Sequence, residues 1–366
     1  MTRLLIAAGG GGDAIATALV HAALHGPDAP ALVLSYAWER LVVDPLPGPR
    51  RAADFTGLTP GPGTLRLVTA ATAPRPPAGS LLPRLSAQLR PALGLLDPYD
   101  GAIGLARQLH DAARYCGADR IDLVDVGGDV LADGTEPTLR SPIGDALALA
   151  ACAESGLPTS VYVAGPGLDN EVPLPTLLPR LGPPALRLTA AHTTTVDRVF
   201  AWHPSEAGAL LVAAARGVRG VCGTRDAPQP LTLTPESADV HRLTLARAMA
   251  LNPLARALLG STSLERAEEA SLSTCGFSEI ARERARAARG EGAVPPALPF
   301  DPAAFAIWEA GTAALGVEYV TTRRITEELD LAPSAVRALR DWLATDHPGR
   351  AAAPLWRLRP LARPGR

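Results

Sequence analysis

Residues 121–146 read IDLVDVGGDVLADGTEPTLRSPIGDA. Ile121 to Val126 is an apolar, β-branched run that stops at Gly127-Gly128-Asp129. A polar loop follows, and Ser141-Pro142-Ile143 then opens an apolar helical stretch, proline being favoured at the first helical position. Strand, glycine-bounded loop and helix make up the repeating unit of an open parallel sheet. In such sheets ligands bind where the loops leave the carboxyl ends of the strands. This loop carries Asp125, Asp129, Asp133, Glu136, Arg140 and Asp145, a density of charge that a purely structural connection does not need.

The same alternation extends outward in both directions. Strands are expected at Arg3 to Ala8, Ala31 to Tyr36, Leu65 to Ala70, Ile121 to Val126, Thr159 to Ala164, Arg198 to Trp202 and Val218 to Cys222. Amphipathic segments lie between them at Asp13 to His25, Ile103 to Cys116, Ile143 to Ser155 and Glu206 to Arg216. Several strand runs are apolar on both faces, as strands covered by helices on each side must be. The predicted fold is α/β: a doubly wound, mostly parallel, Rossmann-like sheet. Pro/Gly-rich excursions interrupt it at 44–63 and 73–84, and the segment from Ser237 to about Arg289 reads as helical. Residues 288–302 (ARGEGAVPPALPFDP) read as a linker. The expected organisation is a core over 1–290 that holds the ligand site, followed by a mainly helical C-terminal extension over 303–366.

Composition narrows the chemistry. The chain has 366 residues, 47% of them apolar, enough for a sizeable core. A formal charge of −2 supplies no global attraction for nucleic acid. The apolar start, MTRLLIAAGGGG, is broken by glycine too early for a signal peptide. No apolar run approaches the roughly 18 residues of a membrane span. A cytoplasmic protein with a small-molecule partner is expected, without nucleic acid or membrane, and a homo-oligomer is compatible with the chain. The four cysteines are widely spaced, without a CxxC pair, and read as buried free thiols. All 35 basic residues are arginine. Without lysine there is no Schiff-base chemistry and no P-loop lysine. An anion here is held by arginine, backbone amides or a metal ion.

Several constellations fall on the predicted ligand edge. Gly9-Gly10-Gly11-Gly12-Asp13 follows the first strand and opens the first helix, where free amides face an anion. No acidic residue ends the second strand to hold a ribose, so the run is a poor dinucleotide fingerprint. Asp125 and Asp129, around Gly127 and Gly128, are placed to share a divalent metal such as magnesium or to divide acid and base roles. Arg140 and Ser141 precede Asp145; a fixed arginine there suits phosphate or carboxylate. Asp169 and Glu171 in GPGLDNE follow the next strand, and His203 in VFAWHP follows another. The expected catalytic set is Asp125, Asp129, Asp145, Glu171 and His203. The ligand-binding set is Gly9 to Gly12, Asp13, Gly127, Gly128, Arg140, Ser141 and Asp169, and the metal pair is Asp125 with Asp129. Near the C-terminus, RRITEELDLAPSAVRALRDWL has the look of a helix-turn-helix, though Glu327, Glu328, Asp330 and Asp341 dilute its arginines.

Taken together, GGGGDA, DVGGDVLADGTEPTLRSPIGDA and GLDNE resemble the family of domain of unknown function 1152 over the chain to about residue 340. In that family the last phrase is more often a Gly-Asp-Gly-Glu run, from which Asn170 departs. The resemblance implies a Rossmann-like α/β protein of archaeal or actinobacterial type, without a settled activity. The residues themselves favour an enzyme acting on a phosphorylated sugar or a nucleotide-like or nucleoside-like molecule by hydrolysis, group transfer or isomerisation. The alternatives are a ligand-sensing regulator with a C-terminal helix-turn-helix, and a nicotinamide-dependent oxidoreductase.

Overall fold

The computed structural model describes residues 2–225, 229–290 and 299–360. Five strands form its parallel centre: β1 (Arg3–Gly10), β2 (Ala31–Tyr36), β3 (Ala92–Leu96), β4 (Ile121–Val126) and β5 (Thr159–Ala164). They lie in the order β5-β4-β1-β2-β3 within a nine-stranded sheet, and all four junctions are parallel. Antiparallel strands complete both edges. Asp239–Thr244 and Pro184–Arg187 extend the sheet beyond β5, and Arg66–Val68 and Thr59–Pro60 extend it beyond β3.

The apolar runs bury on alternating sides, as the two-residue period of a strand requires. Leu4, Ile6, Leu32, Leu123 and Val161 face one core, under the helices Gly101–Cys116 and Pro142–Ser155. Leu5, Ala7, Val33, Val124 and Val126 face the other, under Asp13–His25 and Glu206–Ala215. β2 and β4 are buried along their whole lengths. Each large aliphatic side chain removed from water there stabilises the fold by roughly 1.5–3 kcal/mol before entropy is counted. The protein is thus a mixed α/β structure around one large sheet.

Some expected elements fall elsewhere. Arg198 to Trp202 is a run of turns between a 3-10 segment (Ala190–Val196) and the helix Glu206–Ala215. Val199 and Phe200 are buried there as packing residues, so their apolar character reflects burial without strand pairing. Asp239–Thr244 is a strand inside the stretch expected to be helical, and β3 lies outside the expected strands. Gly220–Gly223 leaves the main sheet. It belongs to a second, five-stranded sheet in the order Leu231–Leu233, Gly220–Gly223, Tyr319–Thr321, Leu355–Arg357, Ala351–Ala352.

That second sheet joins the C-terminal region to the core. The region carries the helices Pro302–Ala314, Thr322–Glu328 and Pro333–Asp346, and three short strands as well. Phe305, Val320, Ile325, Leu339, Leu343 and Trp356 form its own apolar cluster. Tyr319–Thr321 pairs in parallel with Gly220–Gly223. The buried Glu206 carboxylate accepts from Arg225 N at 2.8 and 3.0 Å and from the Thr321 hydroxyl. Residues 291–298 of the expected linker lie outside the described residues.

Candidate functional site

The carboxyl ends of β1, β4 and β5 converge under a cavity of about 570 Å³. Gly9 to Gly12 and Asp13 line one side, and Asp129, Arg140, Ser141, Asp145, Asp169 and Glu171 line another. His203 and Ser205 approach from the turn before the helix Glu206–Ala215. Most of the residues predicted from the strand–loop–helix pattern therefore meet at the cavity, Asp125, Gly127 and Gly128 excepted, although they come from segments up to 194 positions apart in the chain (Gly9 to His203).

Asp13 is the first residue of its helix, and its side chain folds back so that Gly9 N donates to Oδ2 at 2.9 Å. Asp125 closes β4, and Asp145 lies in the first turn of the helix Pro142–Ser155. One carboxylate oxygen from each of Asp13, Asp125 and Asp145 lies within 4.8 Å of the other two. Among the described residues this is the group of acidic, histidine or cysteine side chains close enough to share an ion. Asp129 stands beside it, close enough for its charge and that of Asp125 to repel each other. Of the expected pair, Asp125 with Asp129, only Asp125 belongs to this converging group, which Asp13 and Asp145 complete.

Burial, followed by repulsion from neighbouring carboxylates, pushes Asp125, Asp129 and Asp145 well above the usual carboxylate range. Burial raises Asp13 to about 7, with the Gly9 amide opposing and the Glu171 charge adding. Asp169 also rises to about 7, through burial and then the Glu171 charge. Such a floor calls for a counter-charge or shared protons.

Glu171 organises the rim. It accepts from Arg140 N at 2.8 Å, Ser141 N at 2.9 Å and the Ser141 hydroxyl at 2.5 Å. Glu279 accepts from Ile143 N at 3.0 Å, so the N-terminus of the helix Pro142–Ser155 is served by the protein's own carboxylates. Arg140 is drawn into the same network, donating to Asp169 O at 2.7 Å and lying 3.6 Å from Glu171. The expected anion clamp is therefore tied to the acidic loop. Gly127 and Gly128 do not line the cavity. Their φ values, 116° and 115°, suit glycine, and a Cβ on Gly127 would run into Asp169. Their place is to let β4 turn sharply against the Asp169 loop.

His203 is buried, and Ser205 N donates to its Nδ1 at 3.1 Å. That bond assigns the proton of the neutral ring to Nε2, which has no partner. Burial, then the charges of Arg40 and Arg84, lowers its pKa to about 3, so it is neutral at ordinary pH.

Other lining residues had no signal in the sequence. Glu39, Arg40 and Trp38 come from the loop after β2. Glu279, Arg282, Glu283 and Arg286 come from the helix Glu279–Ala288. Glu283 accepts from Trp38 Nε1 at 3.1 Å and Gly48 N at 2.7 Å, tying that helix to the Pro/Gly-rich excursion. Their spacing along the helix is that of an ordinary charged surface.

Residues 4–287 match the model of a family described as Protein of unknown function (DUF1152). The chain belongs to that family. The DUF1152 match contains every carboxylate of the cavity floor and ends short of residue 340, before the C-terminal strands. No curated protein and no solved structure matches the chain. Among the described residues of this DUF1152 protein, no helix is long and apolar enough to cross a membrane.

Proposed function

We propose that this protein is an enzyme acting on a phosphorylated sugar or a nucleotide-type or nucleoside-type small molecule. The reaction is a hydrolysis, group transfer or isomerisation at the carboxyl edge of a Rossmann-like, doubly wound sheet. The strand order β5-β4-β1-β2-β3 supports the fold reading, since the same order read from the other edge is that of a dinucleotide-binding half-sheet and its neighbours. The observation that carries the functional reading is the composition of this cavity. Asp13, Asp129 and Asp145 form its floor, and Arg40, Arg225, Arg282 and Arg286 stand around it. Carboxylates in such a floor suit proton transfer or hydroxyl contacts, and guanidinium groups suit phosphate oxygens. His203 Nε2–H adds a neutral donor.

A thermal-shift screen of nucleotides, nucleosides and sugar phosphates tests this, because a ligand raises apparent stability by mass action. A melting temperature raised by members of one of these classes and unmoved by their unphosphorylated, non-nucleoside counterparts is expected. A rise with nicotinamide dinucleotides alone would replace the reading with an oxidoreductase. Failure of every compound would remove it.

A regulator with a DNA-reading C-terminal unit is the second reading. It is supported by the sequence of helices Thr322–Glu328 and Pro333–Asp346 followed by the hairpin of Ala351–Ala352 and Leu355–Arg357. Arg323, Arg324 and Arg337, however, pair with Glu327, Glu328 and Asp341 respectively, which weakens the basic face that phosphate contacts need.

A further inference from the structure

We propose that Asp13, Asp125 and Asp145 form a binding site for one hard divalent cation, magnesium or manganese, at the base of the cavity, which Asp13 and Asp145 line and Asp125 underlies. The inference deepens the reading above and rests on the same cavity, but cation binding itself requires no substrate.

The geometry is that of ligands around a common centre. Oxygens bound at about 2.1 Å are at most about 4.2 Å apart; the three carboxylates here lie within 4.8 Å of one another, so a bound ion would draw them together by small side-chain movements. They arrive from three separate elements, namely the start of a helix, the end of β4 and the first turn of a second helix. No histidine or cysteine belongs to the group, and an all-oxygen donor set favours magnesium or manganese over zinc.

A second observation points the same way. Asp125 and Asp145 are 1% and 3% exposed, and each keeps a buried oxygen, Oδ2 and Oδ1 respectively, with no hydrogen-bond partner. A buried carboxylate oxygen without a donor is expensive, and a cation is the partner that serves several at once. The backbone is shaped for this approach. A Cβ on Gly9 would lie 2.7 Å from Asp13 Oδ2 and 3.4 Å from Asp145 Oδ2, so glycine lets both carboxylates close over the strand end. The Gly9 amide fixes Asp13. The cavity above leaves room for water or a substrate oxygen to complete the coordination, as magnesium sites of few carboxylates require.

The test is Mn²⁺ binding to the full chain after treatment with chelator, followed by electron paramagnetic resonance and competed with Mg²⁺. A single saturable site that Mg²⁺ displaces is expected. Asp145→Asn should weaken it by at least the roughly 10–100-fold that even an outer-shell change costs a metal site. Asp122→Asn, at the opposite end of β4, should leave it unchanged. The Asp145→Asn protein should also melt no lower than wild type without metal, since a repelling charge is gone, and should lose the metal-dependent rise. That pair of readings separates loss of the site from loss of the fold. Folded wild type without saturable Mn²⁺ binding, or Asp145→Asn binding as tightly as wild type, overturns the proposal. Mn²⁺ binding without any phosphorylated or nucleoside ligand would uphold this site and remove the enzymatic reading. Ligand binding in chelator by a protein that takes no Mn²⁺ would do the reverse.

Discussion

Gly9 N donates to Asp13 Oδ2 at 2.9 Å, and a Cβ on Gly9 would stand 2.7 Å from that same oxygen. The hydrogen bond and the missing side chain are two parts of one arrangement. The strand end holds the carboxylate and also makes space for it. Gly9→Ala must therefore move Asp13 or the strand. A stability loss of about 1–3 kcal/mol, typical of overpacking, is expected in chemical denaturation. Ligand-dependent stabilisation should fall with it. A variant with wild-type stability and ligand response would show that Asp13 has room to spare.

Asp129→Asn separates chemistry from architecture. The amide has the shape of the carboxyl group, and it removes a charge that stands against Asp125 and Asp145. The melting temperature without ligand should stay close to that of wild type, while the ligand-induced rise disappears. An unfolded variant would mean that the Gly127-Gly128-Asp129 turn is structural only.

Glu171 gathers three donors from Arg140 and Ser141. Removing its side chain leaves two backbone amides and a hydroxyl unserved in a half-buried loop. Glu171→Ala should cost roughly 2–3 kcal/mol, partly offset by relief of repulsion on Asp13 and Asp169. Hydrogen exchange localised to residues 138–142 should rise more than exchange in β4. Uniform exchange across both would argue that Glu171 does not organise this loop.

His203 supplies a pH dependence. In the unfolded chain its imidazole titrates near the ordinary value of about 6.5, and in the folded protein at about 3. Between these values the unfolded state binds a proton that the folded state refuses, so stability is complete above pH 6.5 and falls as pH drops toward 3. At pH 5 the loss from this one group is about 2 kcal/mol. Urea denaturation of wild type and His203→Gln at pH 7 and pH 5 isolates it, because other groups contribute to both proteins. Equal acid sensitivity in the two would place the histidine in water.

Glu206 links two regions, accepting from Arg225 N and Thr321 and lying 3.5 Å from Arg323. Glu206→Ala is expected to loosen Tyr319–Thr321 before it affects the main sheet. Limited proteolysis should then cut within 315–360 faster than in wild type, with residues 2–215 protected. Unchanged cleavage would mean that the apolar cluster around Phe305 holds the region alone.

Much of the fold was legible because its strands are buried on both faces. β2, β4 and β5 have the bounds expected from their apolar runs. β3 escaped because Ala92–Leu96 is short, follows a proline and contains Gly94. Asp239–Thr244 escaped for another reason: paired on both sides, it still carries His241 and Arg242 among its apolar residues and lacks a clean period. Arg198 to Trp202 misled because burial of Val199 and Phe200 in turns looks, locally, like a strand. Asp13, Asp145, Asp169 and Glu171 could be placed near Asp129 since each follows a strand on the same edge. Glu279 and Glu283 could not, because only tertiary packing brings their helix over that edge.

The second sheet has a consequence for how the chain can be divided. Gly220–Gly223 receives its parallel neighbour from Tyr319–Thr321, about a hundred residues onward and beyond the segment shared with the family. A chain cut near residue 300 would leave that strand with unpaired amides and carbonyls along one side. Bare edges of this kind template association between molecules. Such a fragment, though it would retain the whole acidic floor, should be prone to aggregate, and the C-terminal strands act as its guard against self-association.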